Sequence, residues 1–309
     1  MMIKRKIRIG TRGSRLALKQ VEQVIENLKA KYPYIETEVV KIKTSGDKFR
    51  DAPLANIGGK GLFLKEIEEV LLKKDIDVAV HSLKDVPAEI PKELEIIATL
   101  KREDPRDAFI SYKYNSLNEL VDGSVVGTCS LRRKSQLLRF NKNLKIKDLR
   151  GNVNTRLNKL RKGEYDAIVI AAAGLIRLNL SNEITEVLDT NIMIPAIGQG
   201  VIALETRKDD IDTKNLLGVL NDSESNIAAK AERAFLKVVE GGCQVPLGCF
   251  CNIVDSKKIV LNAFISSIDG KDYVLGYKEA NIEKAEEAGK ELAHELLNKG
   301  GSRILEGIL

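Results

Sequence analysis

The chain has 309 residues, 43% of them hydrophobic and 30% charged, which is more than one small core can use and predicts two or three domains. Two histidines and four cysteines without a CxxC pair argue against a zinc centre, a Ser/His/Asp site and a disulfide framework, so no metal is expected. The net charge of +6 and pI near 8.9 favour anionic partners. Nucleic acid is not expected, because aromatics are only 5% and Trp is absent, leaving little for base stacking.

At the N-terminus, Lys4-Arg5-Lys6 is followed by Arg8, Arg12 and Arg15 instead of an apolar run. Neither export nor membrane insertion is predicted, and the cytoplasm is the expected compartment. Ile7 and Ile9 then suggest a strand, and Leu16, Val21, Val24, Ile25 and Leu28 one side of a helix. Val39 to Ile42 reads as a strand, Leu62, Phe63, Ile67, Val70 and Leu71 as a helical stripe, and Ile76 to Val80 as a buried strand. That alternation is α/β grammar.

It restarts after Glu103-Asp104-Pro105-Arg106, with strands predicted at Ala108–Ser111, Ser124–Gly127, Lys145–Asp148 and Ala167–Ala171. Helices are predicted over Leu131–Phe140 and Val153–Lys162. Pro195 to Gly200 punctuates the chain and is expected to return it to the first domain. From about Ser223 the pattern changes to a long helix, three strand-like runs with an Asp269-Gly270 hairpin turn, and a last helix over Ile282–Asn298. No internal repeat is visible.

Three strand-to-helix junctions share one chemical plan: Thr11-Arg12-Gly13-Ser14, Gly127-Thr128-Cys129-Ser130 before Arg132 and Arg133, and Gly151-Asn152 between Arg150 and Arg156. Arg177 after Gly174 makes a fourth candidate. Backbone N–H groups and hydroxyls at such junctions meet anions, and arginine adds a permanent charged fork. Each junction alone reads more readily as an ordinary helix cap with exposed arginines. Together they favour a multi-anionic ligand beyond the carboxyl ends of the strands.

His81-Ser82-Leu83-Lys84-Asp85-Val86-Pro87 closes a buried strand. Lys84 and Asp85 read by themselves as partners of each other or of solvent. A lone carboxylate among arginines is otherwise a poor general acid but a good stabiliser of a developing cation, and His81 reads as structural. Gly58 to Phe63 lacks Walker spacing and reads first as a flexible loop leading into a helix; with Thr44 to Asp47 and Phe49 before it, the segment is also open to the role of a lid. Cys243 sits in the glycine-loosened loop Gly241 to Pro246. It is open both to a structural role and to that of a nucleophile, whereas Cys249 and Cys251 share one strand face as packed thiols.

These motifs, with Glu103–Ala108, Leu149–Leu157, Ala173–Leu178, Pro195–Gly200 and Glu240–Pro246, resemble the porphobilinogen deaminase family in order and over most of the chain. The resemblance implies a transferase that condenses four porphobilinogen molecules head to tail on a dipyrromethane cofactor held by a thioether to Cys243. It implies catalysis by Asp85 and cofactor binding by Ser82, Lys84, Thr128, Ser130, Arg132, Arg133, Arg150 and Arg156. Substrate binding falls to Arg12, Ser14, Arg156, Arg177 and Gln199, and a flexible loop beside the cleft to Asp47, Lys60 and Phe63. Cys129, where the family often has serine, is a second thiol near the cofactor site; Arg15 receives no role.

The implied fold is two periplasmic-binding-protein-like α/β domains plus a smaller α+β C-terminal domain. Residues 1–103 and 199–221 form the first, 104–198 the second and 222–309 the third. A monomer is expected, with scope for handing the product to the next enzyme. The alternative is a non-catalytic two-lobed protein that binds small anions, which leaves Cys243 without a purpose.

Overall fold

The computed structural model describes residues 6–44, 64–239 and 245–308. In chain order the elements begin with β1 (Ile7–Arg12), α1 (Arg15–Lys31), β2 (Thr37–Ile42), α2 (Lys65–Leu72), β3 (Val78–Ser82) and β4 (Leu94–Thr99). Next come β5 (Asp107–Ile110), β6 (Val125–Gly127), α3 (Leu131–Phe140), β7 (Lys145–Lys147), α4 (Val153–Arg161), β8 (Ala167–Ala171), α5 (Ala172–Arg177) and β9 (Glu186–Val187). The chain continues through β10 (Ile202–Arg207), α6 (Ile211–Gly218), α7 (Ser223–Val239), β11 (Leu247–Ile253), β12 (Lys258–Ser266) and β13 (Tyr273–Asn281). It ends with α8 (Ala285–Leu296) and α9 (Ser302–Glu306). Among the described residues no helix is long and apolar enough to cross a membrane.

Two compact units result, one of residues 1–103 and 201–226, the other of 104–200 and 227–309. In the first, the sheet order is β2-β1-β3-β10-β4. β1 runs parallel to β2 and β3, whereas β10 lies antiparallel between β3 and β4. Apolar residues cover both faces. Val21, Val24 and Leu28 of α1 meet Ile7, Ile9, Val78, Val80 and Leu204 on one side, and Ile67 and Leu71 of α2 meet Ile42, Ile76 and Ala79 on the other. The i, i+3, i+7 spacing on α1 is the predicted stripe. All six residues of β10 are buried, including Glu205 and Arg207, so the return after Gly200 ends inside the first sheet.

The second unit repeats the plan with sheet order β7-β6-β8-β5-β9. β6 is parallel to β7 and β8, and β5 is antiparallel to β8. Leu157 and Leu160 of α4 pack on one face, Leu137 of α3 on the other. The same unit holds the antiparallel sheet β11-β12-β13, whose inner face packs on α7 and α8 through Phe235, Leu261, Ile265, Leu292 and Leu296. Cys249 and Cys251 lie buried in that core, as their shared strand face predicts.

On the outer face, Phe264 stacks on Tyr273 at 5.0 Å, and the Arg139 guanidinium of α3 sits 4.2 Å from the Tyr273 ring centre. Gly270, with φ +73°, closes the predicted hairpin turn so near α3 that a Cβ would lie 2.4 Å from the Ser135 carbonyl oxygen. The final helix is shorter than expected: Gly300, at φ 112°, breaks the α geometry after Leu296, and the chain resumes as α9. Because Phe235 is fully buried in the third core, Phe235→Ala is expected to cost about 3–5 kcal/mol, measured by chemical denaturation.

Candidate functional site

In each unit the predicted motifs lie where parallel strands end. The first sheet places Arg12 to Ser14 at the end of β1 and Ser82 to Asp85 at the end of its parallel neighbour β3. Ser14 caps α1, its Oγ accepting from the Ala17 N–H at 3.2 Å. That bond uses the hydroxyl as acceptor and leaves its O–H proton to donate elsewhere.

Asp85 ends a single 3₁₀ turn, Leu83–Asp85. Buried Leu83 and Val86 pin the turn on either side, the Leu83 N–H reaching the Val201 carbonyl at 2.9 Å, while Asp85 itself is exposed. An exposed carboxylate between two buried anchors is fixed in place yet available. The preceding Ser82 is held from behind: its Oγ accepts from Gln20 Nε2 at 2.7 Å. Gln20 is buried on α1, a polar residue inside the apolar stripe, and that misplaced polarity was the available signal for a brace that sequence reasoning missed.

His81 is buried and pairs with fully buried Glu205 at 3.0 Å, in keeping with a structural role. Glu68 of α2 belongs to the same neighbourhood. Burial first, and then the charge of Glu205, push its carboxyl up to about 7, with His81 opposing.

The second sheet gathers the other junctions at the ends of β6, β7 and β8. Ser130 caps α3, its Oγ accepting from the Arg133 N–H at 3.4 Å, and Asn152 caps α4 through the Thr155 N–H at 2.9 Å. Thr128 bridges these loops, its N–H donating to the Lys147 carbonyl and its Oγ1 accepting from the Ser130 N–H. Gly151 takes φ +112° between β7 and α4, where a Cβ would also meet the Thr155 side chain at 2.6 Å. Arg156 folds back to donate from Nε to the Gly151 carbonyl at 2.8 Å, and Arg150 lies 3.9 Å from Asp148. Arg177 donates to the Gly200 carbonyl at 2.7 Å.

Arg132 and Arg133 are buried, at 5% and 6% exposure, around a carboxylate that is wholly buried. Asp107 Oδ2 accepts from Arg132 Nη2 at 2.7 Å, and its Oδ1 accepts from Arg133 Nη2 at 2.7 Å and Nε at 3.0 Å. Arg132 also donates to the Ile194 carbonyl at 2.6 Å. Gln199, 1% exposed, donates to the same Oδ1 at 3.0 Å and to the Pro105 carbonyl at 2.7 Å, so its amide braces the cluster. Burial acts to raise the Asp107 carboxyl, but the two guanidiniums together outweigh it and hold the group at about 2. Two cations around one anion leave a surplus positive charge at the head of α3. Sequence reasoning placed Asp107 inside a motif without giving it this role.

Cys129 is partly exposed between Thr128 and Ser130. Asp47, Lys60, Phe63 and Cys243 lie outside the described residues.

A family model described as "Porphobilinogen deaminase, dipyromethane cofactor binding domain" matches residues 7–215, and one described as "Porphobilinogen deaminase, C-terminal domain" matches 226–298. The chain is 50% identical over 307 residues to the porphobilinogen deaminase of Trichlorobacter lovleyi, covering 99% of this chain and 98% of that protein. It is 46% identical to that of Syntrophobacter fumaroxidans, covering 99% of both. Among solved structures it is similar to the methionine-binding protein MetQ, with a TM-score of 0.45 and 20% identity over 74% of this chain and 94% of that one.

Because the Asp107 carboxyl is depressed from 3.8 to about 2, its stabilisation is complete above pH 4 and is lost as pH falls toward 2. The loss amounts to about 2 kcal/mol. Asp107→Asn is expected to flatten that part of the stability–pH curve. At neutral pH it should cost about 3–5 kcal/mol, because two buried guanidiniums lose their counter-charge. Denaturation curves from pH 2 to 7 measure both effects.

Proposed function

The chain belongs to the porphobilinogen deaminase family, and from that premise we propose how its own residues divide the work. The protein is a transferase, a hydroxymethylbilane synthase, which joins four porphobilinogen molecules head to tail and releases ammonia in tetrapyrrole biosynthesis. Family models over both parts of the chain do not favour a non-catalytic anion-binding protein.

When bound, the dipyrromethane supplies the two-ring end from which the product is built. The residues at hand fit such a group: Thr128, Ser130, Arg132, Arg133, Arg150 and Arg156 share one end of the second sheet, and the Asp107 cluster carries excess positive charge. Acetate and propionate arms on each ring are the kind of anion this donor set holds. The observation that carries the reading is this convergence of guanidiniums and caps after adjacent parallel strands.

Ser82 and Lys84 are assigned to the same carboxylates, and Arg12, Ser14 and Arg177 to incoming porphobilinogen. Gln199 takes its part at one remove, through Asp107. Arginine-rich surroundings disfavour the positive charge that develops on porphobilinogen as ammonia departs. Asp85, exposed on its pinned turn, offsets that penalty with a carboxylate near the pyrrole nitrogen and can accept a proton there. Cys243 is assigned the thioether because it matches the family's attachment cysteine, and burial of Cys249 and Cys251 in the core under β11–β13 agrees with that assignment. Asp47, Lys60 and Phe63 are assigned to a covering loop. The enzyme is taken to act as a monomer in the cytoplasm and to pass its product onward.

Intact-mass measurement tests this division. Cys243→Ala is expected to lack the mass of two pyrrole rings, whereas Cys249→Ala and Cys251→Ala keep it. In the wild type, porphobilinogen should produce a ladder of one-ring increments. Asp85→Ala should retain the two-ring mass and lose turnover by about a hundredfold or more. Full turnover in that variant would remove Asp85 from the mechanism.

A further inference from the structure

α2 lies on one face of the first sheet, and Glu68 stands inside its apolar stripe, between buried Leu64 one turn before and buried Leu71 one turn after. The helix thus turns a carboxylate toward the sheet. Its Oε1 is buried and, like Oε1 of Glu205, meets no hydrogen-bond donor among the described residues. Glu205 has no exposed surface, and its other oxygen lies 3.0 Å from His81 Nε2. Alternation along the strands puts this pair on the α2 side. Val80 of β3 and Leu204 of β10 join the core under α1, so His81 and Glu205 point the opposite way, as does Ala79, which packs with Ile67 and Leu71.

The other charges on that side have partners or stand at its borders. Arg207, two residues beyond Glu205, is turned to Asp210 and to the Leu71 and Ile76 carbonyls. On β1, Arg8 is bonded to Asp77, and Arg12 closes the strand. Glu38 of β2 pairs with Lys6, and Glu95 of β4 with Lys214. Lys65, Glu66 and Glu69 belong to α2 itself. The imidazole of His81 is already committed to Glu205, so a second negative charge here has little to offset it. Burial first, and then the Glu205 charge, accordingly raise the Glu68 carboxyl to about 7, with His81 opposing.

We propose that Glu68 and Glu205 form a proton-operated latch: a proton held on Glu68 lets α2 sit on β3 and β10, and its loss sets two carboxylates against each other beneath the helix. Ionising Glu68 in place costs its hydration as well as the repulsion, whereas a helix that lifts away returns the carboxylate to water. The folded carboxyl keeps its proton to higher pH than the ordinary 4.5, so this contribution is complete below about pH 4.5 and is lost as pH rises through 7. The strand under the latch ends at Ser82 and leads into the turn of Asp85. All the parts lie within the first compact unit.

The test uses the full-length loaded enzyme. Carboxyl-carbon NMR should give Glu68 a titration midpoint of about 6 or higher; a lower one overturns the latch. Amide exchange at Ile67 to Leu71, corrected for the intrinsic effect of pH, should speed up about tenfold or more between about pH 5 and pH 8, a figure reduced for the half-exposed position of Glu68. Flat exchange in the wild type overturns the proposal. Glu68→Gln, neutral throughout, should hold those rates within about twofold, and a response as large as the wild type's would assign the effect to another group. Glu205→Gln should lower the Glu68 midpoint by about one pH unit. An unmoved midpoint would leave burial as the whole cause and end the case for a pair. Should neither variant fold, the two wild-type measurements decide.

Discussion

A single carboxylate with no solvent exposure, Asp107, makes it possible to bury two adjacent arginines at the start of α3. Without it, two like charges in a low-dielectric site would repel each other and lose their hydration. With it, the guanidiniums are oriented by charge-assisted bonds, and one of them reaches across to Ile194. Asp107 is also the first residue of β5, the strand that lies antiparallel to β8 and between it and β9 in the second sheet. Fold and electrostatics thus meet at one residue. The strand's register places the carboxylate, and the carboxylate sets what the neighbouring loops present to an anionic ligand.

The two α/β sheets share an order of three parallel strands followed by an antiparallel one, although the sequence contains no visible repeat. Topology depends on pattern and connection, and different side chains satisfy the same pattern. The common plan has a chemical result: in both sheets the parallel strands end together, so loops remote in sequence become neighbours. In the first they hold a pinned carboxylate at Asp85, in the second a set of cations around Arg132 and Arg133.

Most strands and helices were legible because apolar residues recur at the spacing each element needs. The long helix α7 and the three final strands follow prediction within a few residues. β10 escaped notice because Glu205 and Arg207 break its apolar run. Both are buried only because partners from elsewhere answer them: His81 for one, and Asp210 with the Leu71 and Ile76 carbonyls for the other. Asp107 was hidden for the same reason, since its arginines lie 25 and 26 residues away and an isolated acid reads as surface. The candidate site was legible as motifs at strand ends. Its internal division, with some arginines presented and others committed to a buried anion, depends on distances that no linear spacing encodes.

The seat of Gly270 against the Ser135 carbonyl also bears on how such chains can diverge. A turn wedged this closely onto a neighbouring helix tolerates neither a larger residue nor an inserted one, so the β12–β13 connection should keep its length among related enzymes. The turn at the other end of the sheet, between β11 and β12, is exposed at Val254 to Lys257. Evolutionary drift in size and charge should collect there, at the end of the sheet opposite the fixed hairpin.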